Sequence, residues 1–432
     1  MTPDYPRILK GKDSAAHFLI TQPAATKYIE CGIQSALVFA QHMTIPDLDF
    51  NLNLGVTSIR FSLKDIKFSD LSARKANLEL NGDESVVADL EGANVILSLQ
   101  WAFSQTSYPY LTDGGAGKIL LNNASLRAQV KSGADYEECP GHYNTSIESA
   151  QVDFDSLKVE LTGGSSWLYQ SLINIILDAI QSSLIDLISD VLVDSIGLLL
   201  TSEAMSNGLY DYYLKPVNDI IKDERLVTAW TVGQGWLSIA FSGYIYNFNH
   251  LEDEFIKPEM LKPIIYNYAN DETSYQFAQP VFDNMFYIFH KYHDLFSSQN
   301  FKLTKAPTLQ IMNAAVLVTV EGEAKDGSAV KLLLKGDPDW RTDIRVNGTK
   351  KTNTSTFSFQ FEKYSVETQY TGDIEALVKE VIEHINEVMR TSCGYQLNVT
   401  PFLDLDLFHV IFDPKNNVIR FMGDLPDECA PL

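Results

Sequence analysis

The sequence is poor in the residues and patterns that mark most chemistry. It has four cysteines in 432 residues, Cys31, Cys139, Cys393 and Cys429, scattered and with no C-x-x-C pair. That excludes a disulfide scaffold and the usual thiolate metal spacings. Cys393 and Cys429 lie near the same end of the chain and could pair, and the count does not fix the compartment. Positive charge is also scarce. Lysine and arginine number 33 against 56 aspartates and glutamates, a net charge of −23. A chain this acidic gains little from nucleic-acid phosphates, so no nucleic-acid partner is expected. Anionic membranes would repel it on average unless basic residues cluster locally. No long uninterrupted hydrophobic run is present. The nearest, Trp167 to Leu200, carries Asp178, Asp186, Asp190 and Asp194, and an aspartate at the centre of a bilayer costs about 2.5–3.5 kcal/mol on insertion scales. The segment therefore reads as a long amphipathic helix outside the membrane. Met1 to Asp13 lacks the apolar stretch of a signal peptide, so the chain is expected either to act in the cytosol or to have lost a leader. Sequons at Asn123, Asn144, Asn347, Asn353 and Asn398 match chance expectation.

No P-loop, dinucleotide-binding or zinc-finger pattern appears. Gly163-Gly164-Ser165-Ser166-Trp167 has the first half of a nucleophile elbow but ends in tryptophan, and reads as a helix cap. His290 and His293 are spaced for a metal, with Asp294 adjacent, but no third His or Cys ligand accompanies them. Asp404 and Asp406 alternate with Leu403, Leu405 and Leu407 as solvated strand positions do. No catalytic residue, metal or cofactor is expected, and the chain is read as a non-enzyme.

What is present is apolar periodicity. Hydrophobic residues make up 45% of the chain, enough for a large core, and the length suggests two domains. Residues 23–42 read as a helix, with Ile29, Ile33, Ala36 and Leu37 on one face and Ile45-Pro46-Asp47 as its exit. Strand alternation follows through Phe50, Leu52 and Leu54, then Ile59, Phe61 and Leu63, then Leu78 and Leu80, then Val95, Leu97 and Leu99, with turns at Asn81-Gly82-Asp83, Asp113-Gly114-Gly115 and Ser132-Gly133. The helix of Trp167 to Leu200 would be roughly 50 Å long, with Ile173, Ile176, Ile180 and Leu184 opposite its aspartates. Residues 210–223 read as irregular or helical, and 226–248 as strand.

Acidic, proline-containing residues 249–263 read as a linker. It separates an N-terminal domain over 1–248 from a C-terminal one over 264–432. The second half repeats the order of the first. A helix over 279–296 carries Phe282, Phe286 and Phe289. Strands follow around Leu309 and Ile311, Val316 to Val320, Leu332 to Leu334, and Phe357 to Phe361. A helix over 372–390 carries Leu377, Val381 and Ile385, and a hairpin turns at Pro414-Lys415-Asn416-Asn417. A one-faced meander and a long amphipathic helix bury their apolar faces by lying along each other. The resulting α+β tube is long and apolar, as acyl chains require. Burial of roughly 0.8 kcal/mol per CH₂ could hold them without a polar anchor.

Tyr28 to Leu48 resembles the N-terminal helix and Ile-Pro-Asp exit of the bactericidal/permeability-increasing and lipopolysaccharide-binding protein (BPI/LBP) family. Cys139, Val159 to Tyr169 and the long helix resemble its middle signature, and Glu375 to Leu425 its C-terminal helix and final hairpin. The likeness spans nearly the whole chain at low identity. It implies the tubular lipid-binding (TULIP) fold: two elongated barrels end to end, joined by a central sheet. Each would hold phospholipid or another acyl-chain lipid, and the protein would be a secreted or lumenal monomer in transient contact with membranes, serving lipid transfer, membrane-lipid recognition or innate defence. The lining would come from Ile29, Ile33, Ala36, Leu37, Ile173, Ile176, Ile180 and Leu184 in the first half. Phe282, Phe286, Phe289, Leu377, Val381 and Ile385 would line the second. The sequence departs from the bactericidal branch in two ways. That branch bonds the equivalent of Cys139 to a cysteine on the following helix, and here none lies between Cys139 and Cys393. That branch also has a cationic N-terminal tip; here a few basic residues, Lys64, Lys67, Arg74 and Lys75, fall in strand or loop positions, and with a net charge of −23 neutral or zwitterionic lipid fits better than endotoxin. The alternative is a structural or protein-interaction module whose tubes are filled by side chains.

Overall fold

The computed structural model describes residues 14–27, 29–30, 45–53, 58–82, 85–108, 110–135, 142–164, 209–214, 217–223, 227–243, 245–247, 249–250, 273–293, 298, 300–347, 350–392, 395–397 and 406–424. The expected helix over 167–200, the linker, all four cysteines and most of the 23–42 helix lie outside these residues. Strand dominates what is described. The chain forms two compact units. One comprises Ala25–Ser132 and Thr145–Glu203; the other comprises Met1–Ala24, Gly133–Asn144 and Ala204–Leu432.

The larger unit contains a six-stranded sheet drawn from both ends of the chain. Its spatial order is β11 (Thr231–Gly233), β12 (Trp236–Phe241), β1 (Ala16–Thr21), β14 (Thr273–Ala278), β22 (Val418–Asp424) and β21 (Asp406–Asp413). The two central strands, β1 and β14, pair antiparallel, with Ala16 opposite Phe277. Each ends in Gln-Pro and passes into a helix: Gln22-Pro23 into residues 22–27, and Gln279-Pro280 into α1 (Gln279–His293). Proline in a first helical turn sacrifices no hydrogen bond, because its missing N–H would be unpaired there in any case. The two glutamine N–H groups donate to equivalent hairpin turns, to the Gly235 carbonyl at 2.9 Å and the Asn417 carbonyl at 2.8 Å. Gly235 and Asn417 both have positive φ, +79° and +54°, which glycine and asparagine tolerate best. The two Gln-Pro junctions are thus alike in their hydrogen bonding.

A second six-stranded sheet in this unit runs β15 (Phe301–Leu303), β17 (Ala315–Ala324), β18 (Ala329–Asn347), β19 (Lys350–Thr368), β20 (Tyr395–Leu397), with β16 (Thr308–Met312) also paired to β17. Helix α1 packs on β13 (Ile245–Asn247), β14 and β16. Helix α2 (Ile374–Ser392) packs on β19, and the two helices touch. Asp373 caps α2: its carboxylate accepts the Ala376 N–H at 3.0 Å. The third sheet of this unit corrects the sequence reading. Residues expected to be irregular or helical form the hairpin β9 (Leu209–Leu214) and β10 (Val217–Asp223), with β13 on its far edge. Tyr210, Tyr212, Ile220 and Ile221 favour strands, and each run is too short for helical periodicity to register.

The smaller unit holds one seven-stranded sheet, β2 (Leu48–Asn53), β3 (Ser58–Ser72), β5 (Ser85–Gln105), β6 (Thr112–Asp135) and β7 (His142–Asp153), with β4 (Lys75–Leu80) also on β5 and β8 (Ser156–Thr162) also on β6. Strands β5 and β6 are long enough to serve two partners in succession. The change of partner along β5 falls at a bulge around Gly92, where the register shifts between Leu90 and Ala93. Gly92 has φ +67°, so the backbone conformation favours glycine; a Cβ there would displace only the end of the flexible Arg74 side chain.

Candidate functional site

Two apolar interiors are the candidate site, and each follows from strand parity. In the smaller unit, alternate residues of β3 and β5 turn to one face. Phe61 and Leu63 meet Val95, Leu97, Leu99, Trp101 and Phe103, with Ile119 and Leu121 from β6 and Leu161 from β8. All are nearly inaccessible to solvent. Trp101 stacks on Phe61 and donates its indole N–H to the Thr162 carbonyl at 3.3 Å, which satisfies the one polar atom it brings inside. Beyond the Gly92 bulge a smaller cluster forms from Ala76, Leu90, Ala93, Ala124 and Leu126, and Ile29 packs against it. Ile33, Ala36, Leu37, Ile173, Ile176, Ile180 and Leu184 lie outside the described residues.

Part of the other face of this sheet is polar. Lys67, Ser98, Lys118 and Glu160 stand in register across β3, β5, β6 and β8. They line an open cleft of about 570 Å³ together with Asp65, Gln100 and Thr162. Leu99, Ala116 and Gly117 complete its lining.

In the larger unit the structure brings together all six residues singled out from the C-terminal half. Phe282, Phe286 and Phe289 of α1 and Leu377, Val381 and Ile385 of α2 belong to one cluster with Leu309, Val316, Val318, Leu332, Leu334 and Phe359 of the sheet. None of the six exceeds 3% exposure, so their side chains fill the space between helices and sheet. The sequence reading missed three polar residues in the same interface, each accepting a strand N–H. Asp283 takes that of Leu309 at 2.8 Å, Asn284 that of Ile245 at 3.0 Å, and Asn386 that of Phe359 at 2.9 Å. Desolvation raises the Asp283 carboxyl above the usual aspartate range, against the opposing effects of the Leu309 N–H and the Gln279 side chain. An asparagine on an otherwise apolar helical stripe was the signal available. Among the described residues no group of three or more His, Cys, Asp or Glu side chains is placed to hold a metal.

One unit thus presents an apolar sheet face, and in the other the apolar sheet face is covered by α1 and α2. Across 96% of this chain and 99% of the other, the structure aligns with the crystal structure of lipopolysaccharide binding protein at a TM-score of 0.58 and 13% identity. In fold the chain is BPI/LBP-like. A protein of Arabidopsis thaliana described as a BPI/LBP family protein is 21% identical over 194 residues, which are 44% of this chain and 39% of that protein. The chain therefore matches less than half the length of this curated relative. Takeout 1 of Epiphyas postvittana aligns over 41% of this chain and 92% of its own, at 14% identity and a TM-score of 0.30. No protein-family model matches the chain.

Proposed function

We propose that this protein binds and carries lipids, holding acyl chains in two tubular apolar interiors. The cargo is phospholipid or a lipid of similar shape, collected and released in transient contact with membranes. The observation that carries the reading is the whole-length alignment with lipopolysaccharide binding protein, together with an inner sheet face in the smaller unit that is apolar over β3, β5, β6 and β8. In this reading the protein performs no covalent chemistry and needs no cofactor other than its lipid. It works as a secreted or lumenal monomer, and membrane-lipid recognition or innate defence is the setting the fold suggests. The net charge of −23 favours neutral or zwitterionic lipid over endotoxin.

The test is native mass spectrometry of the purified chain, followed by organic extraction and lipid identification. Acyl-chain lipid at fixed stoichiometry is the expected result, and a lipid-free protein that takes up none when offered it would overturn the reading. A second reading has an observation of its own. The six side chains from α1 and α2 are packed to 3% exposure or less, as in a filled core. The larger unit would then be a structural or protein-interaction module. Lipid found at one site per chain, assigned to the smaller unit by crosslinking, would favour that division of labour.

A further inference from the structure

Strand β6 pairs with β8 as far as Asn122 and there bulges. Its register against β5 runs from Val95 opposite Leu121 to Ala93 opposite Ala124. Asn122 and Asn123 therefore face the single residue Asn94, two against one. The bulge changes which residues point inward. Before it Ile119 and Leu121 are buried, and after it Ala124 and Leu126 are. Inward positions thus pass from odd to even numbers, and the two asparagines between them are both exposed. Asn123 has φ +52°, a left-handed conformation that asparagine tolerates better than most residues. Its carboxamide lies on the surface within a small polar group. The oxygen accepts from the Arg74 guanidinium, and the nitrogen donates to the Asp155 carboxylate at 2.8 Å. The chain around it is held as well: the Asp155 N–H donates to the Asn122 carbonyl at 3.2 Å, and the Asn122 side chain donates to the Ser156 hydroxyl at 3.2 Å.

Asn123 also opens the sequon Asn123-Ala124-Ser125. A bulge by itself asks only for a residue at ease with positive φ; the serine two positions on makes this one an acceptor. We infer that Asn123 is an attachment site for an N-linked oligosaccharide, carried on the outward face of the smaller unit's sheet. The inference rests on the secreted or lumenal reading above, because the transfer takes place in the secretory pathway. In the transfer the carboxamide nitrogen attacks the anomeric carbon of a diphosphate-lipid-linked oligosaccharide. The C–N bond forms, the anomeric C–O bond breaks, the lipid diphosphate leaves, and one amide proton is lost. The product amide keeps one N–H and its oxygen, so the bonds to Asp155 and Arg74 need not be given up. A bulky, hydrated group is at home on this face and not on the opposite one, where Leu121 and Ala124 are buried. The side chains of the other sequon asparagines, Asn144, Asn347, Asn353 and Asn398, lie outside the described residues.

The experiment expresses the full chain in eukaryotic cells behind a cleavable secretory leader. Protein recovered from the medium is treated with peptide N-glycosidase in heavy-oxygen water, and the peptide carrying Asn123 is sequenced by mass spectrometry. The expected result is conversion of Asn123 to aspartate with heavy oxygen incorporated. Ser125→Ala should abolish that label and lower the mass of the untreated chain by one glycan, while leaving the Asn123 carboxamide in place. Ser125→Thr should keep the label. Unmodified Asn123 in secreted wild type would overturn the inference, and so would label confined to the other sequons or unchanged in Ser125→Ala. The wild-type measurement decides occupancy alone, so a variant that fails to fold does not shelter the idea. Fractionation of cells that make the native chain separates the two readings. A native chain confined to the cytosol would sink the secreted reading whatever the label shows, whereas an unlabelled Asn123 on a secreted chain would sink only the site.

Discussion

The helices of the larger unit are fixed by single polar atoms in an apolar seam. The strand N–H groups of Ile245, Leu309 and Phe359 would be unpaired if α1 and α2 offered only hydrocarbon, and a buried donor without a partner costs about 1–3 kcal/mol. Strand β20 pairs only with Asn353 to Ser355 among the described residues. Further along that edge Asn386 takes the Phe359 N–H. Asn386→Leu should therefore lower unfolding free energy by about 1–3 kcal/mol in urea titration although it raises hydrophobicity; a neutral or stabilising result would mean that water replaces the asparagine. Asp283 makes the corresponding bond at a different cost. Its carboxyl is raised from the ordinary value of 3.8, chiefly by desolvation. The folded state thus binds the proton more tightly than the unfolded chain. Stability is fullest below the unfolded value and declines as pH rises through the folded one. At neutral pH the whole penalty is present. Asp283→Asn keeps an oxygen for the Leu309 N–H and removes the charge, so it should raise the melting temperature at pH 7. The advantage over wild type should shrink as pH falls toward 3.8. An advantage independent of pH would show that charge is not its source.

At the scale of elements, β3, β5, α1 and α2 were legible from one apolar face, whereas β1, β6, β8 and β14 were not, and two expected turns, Asp113-Gly114-Gly115 and Ser132-Gly133, lie inside strand β6. Ile59, Phe61 and Leu63, and Val95, Leu97 and Leu99, alternate in sequence and lie buried on β3 and β5. The α1 and α2 stripes recur every three or four residues and meet in one cluster. The β9–β10 hairpin was not legible, because six or seven residues with mixed aromatic and acidic character carry no clear period. The bulge at Gly92 was hidden because a lone glycine in a strand does not say which way the register shifts. Pairing of β1 with β12 and β14 was beyond reach for another reason. Partners more than 200 residues apart leave no local trace. The exposed side chains of Tyr108 and Tyr110 ran against the ordinary reading of aromatics as core. For α1 the difference between core and lipid wall is measurable. Phe286 is fully buried, and in close-packed core Phe286→Ala should cost about 3–5 kcal/mol in chemical denaturation. A loss well below that, with lipid content raised, would mean that lipid fills the vacated volume.

At the scale of the whole molecule the question is what would hold the proposed cargo. The chain is acidic overall, and in the smaller unit Lys67 and Lys118 line a cleft on the sheet face opposite Leu97 and Ile119. Lipid in the apolar interior would be held by burial of CH₂ groups, roughly 0.8 kcal/mol each, a force that ions do not screen. Two consequences can be measured on one preparation. Removing the lipid should destabilise the protein by its linkage free energy, about 2.7 kcal/mol when free lipid stands a hundredfold above Kd. For units of this size that is a fall of roughly 5–10 °C in melting temperature, restored when phosphatidylcholine is returned. The size of the shift should also be the same at about 0.01 M and about 1 M salt, although the Debye length falls from about 30 Å to about 3 Å over that range. A shift that collapses in high salt would place phosphate recognition, and so the lysine-bearing face, at the centre of binding. No shift on extraction would leave a protein whose interiors are filled by its own side chains.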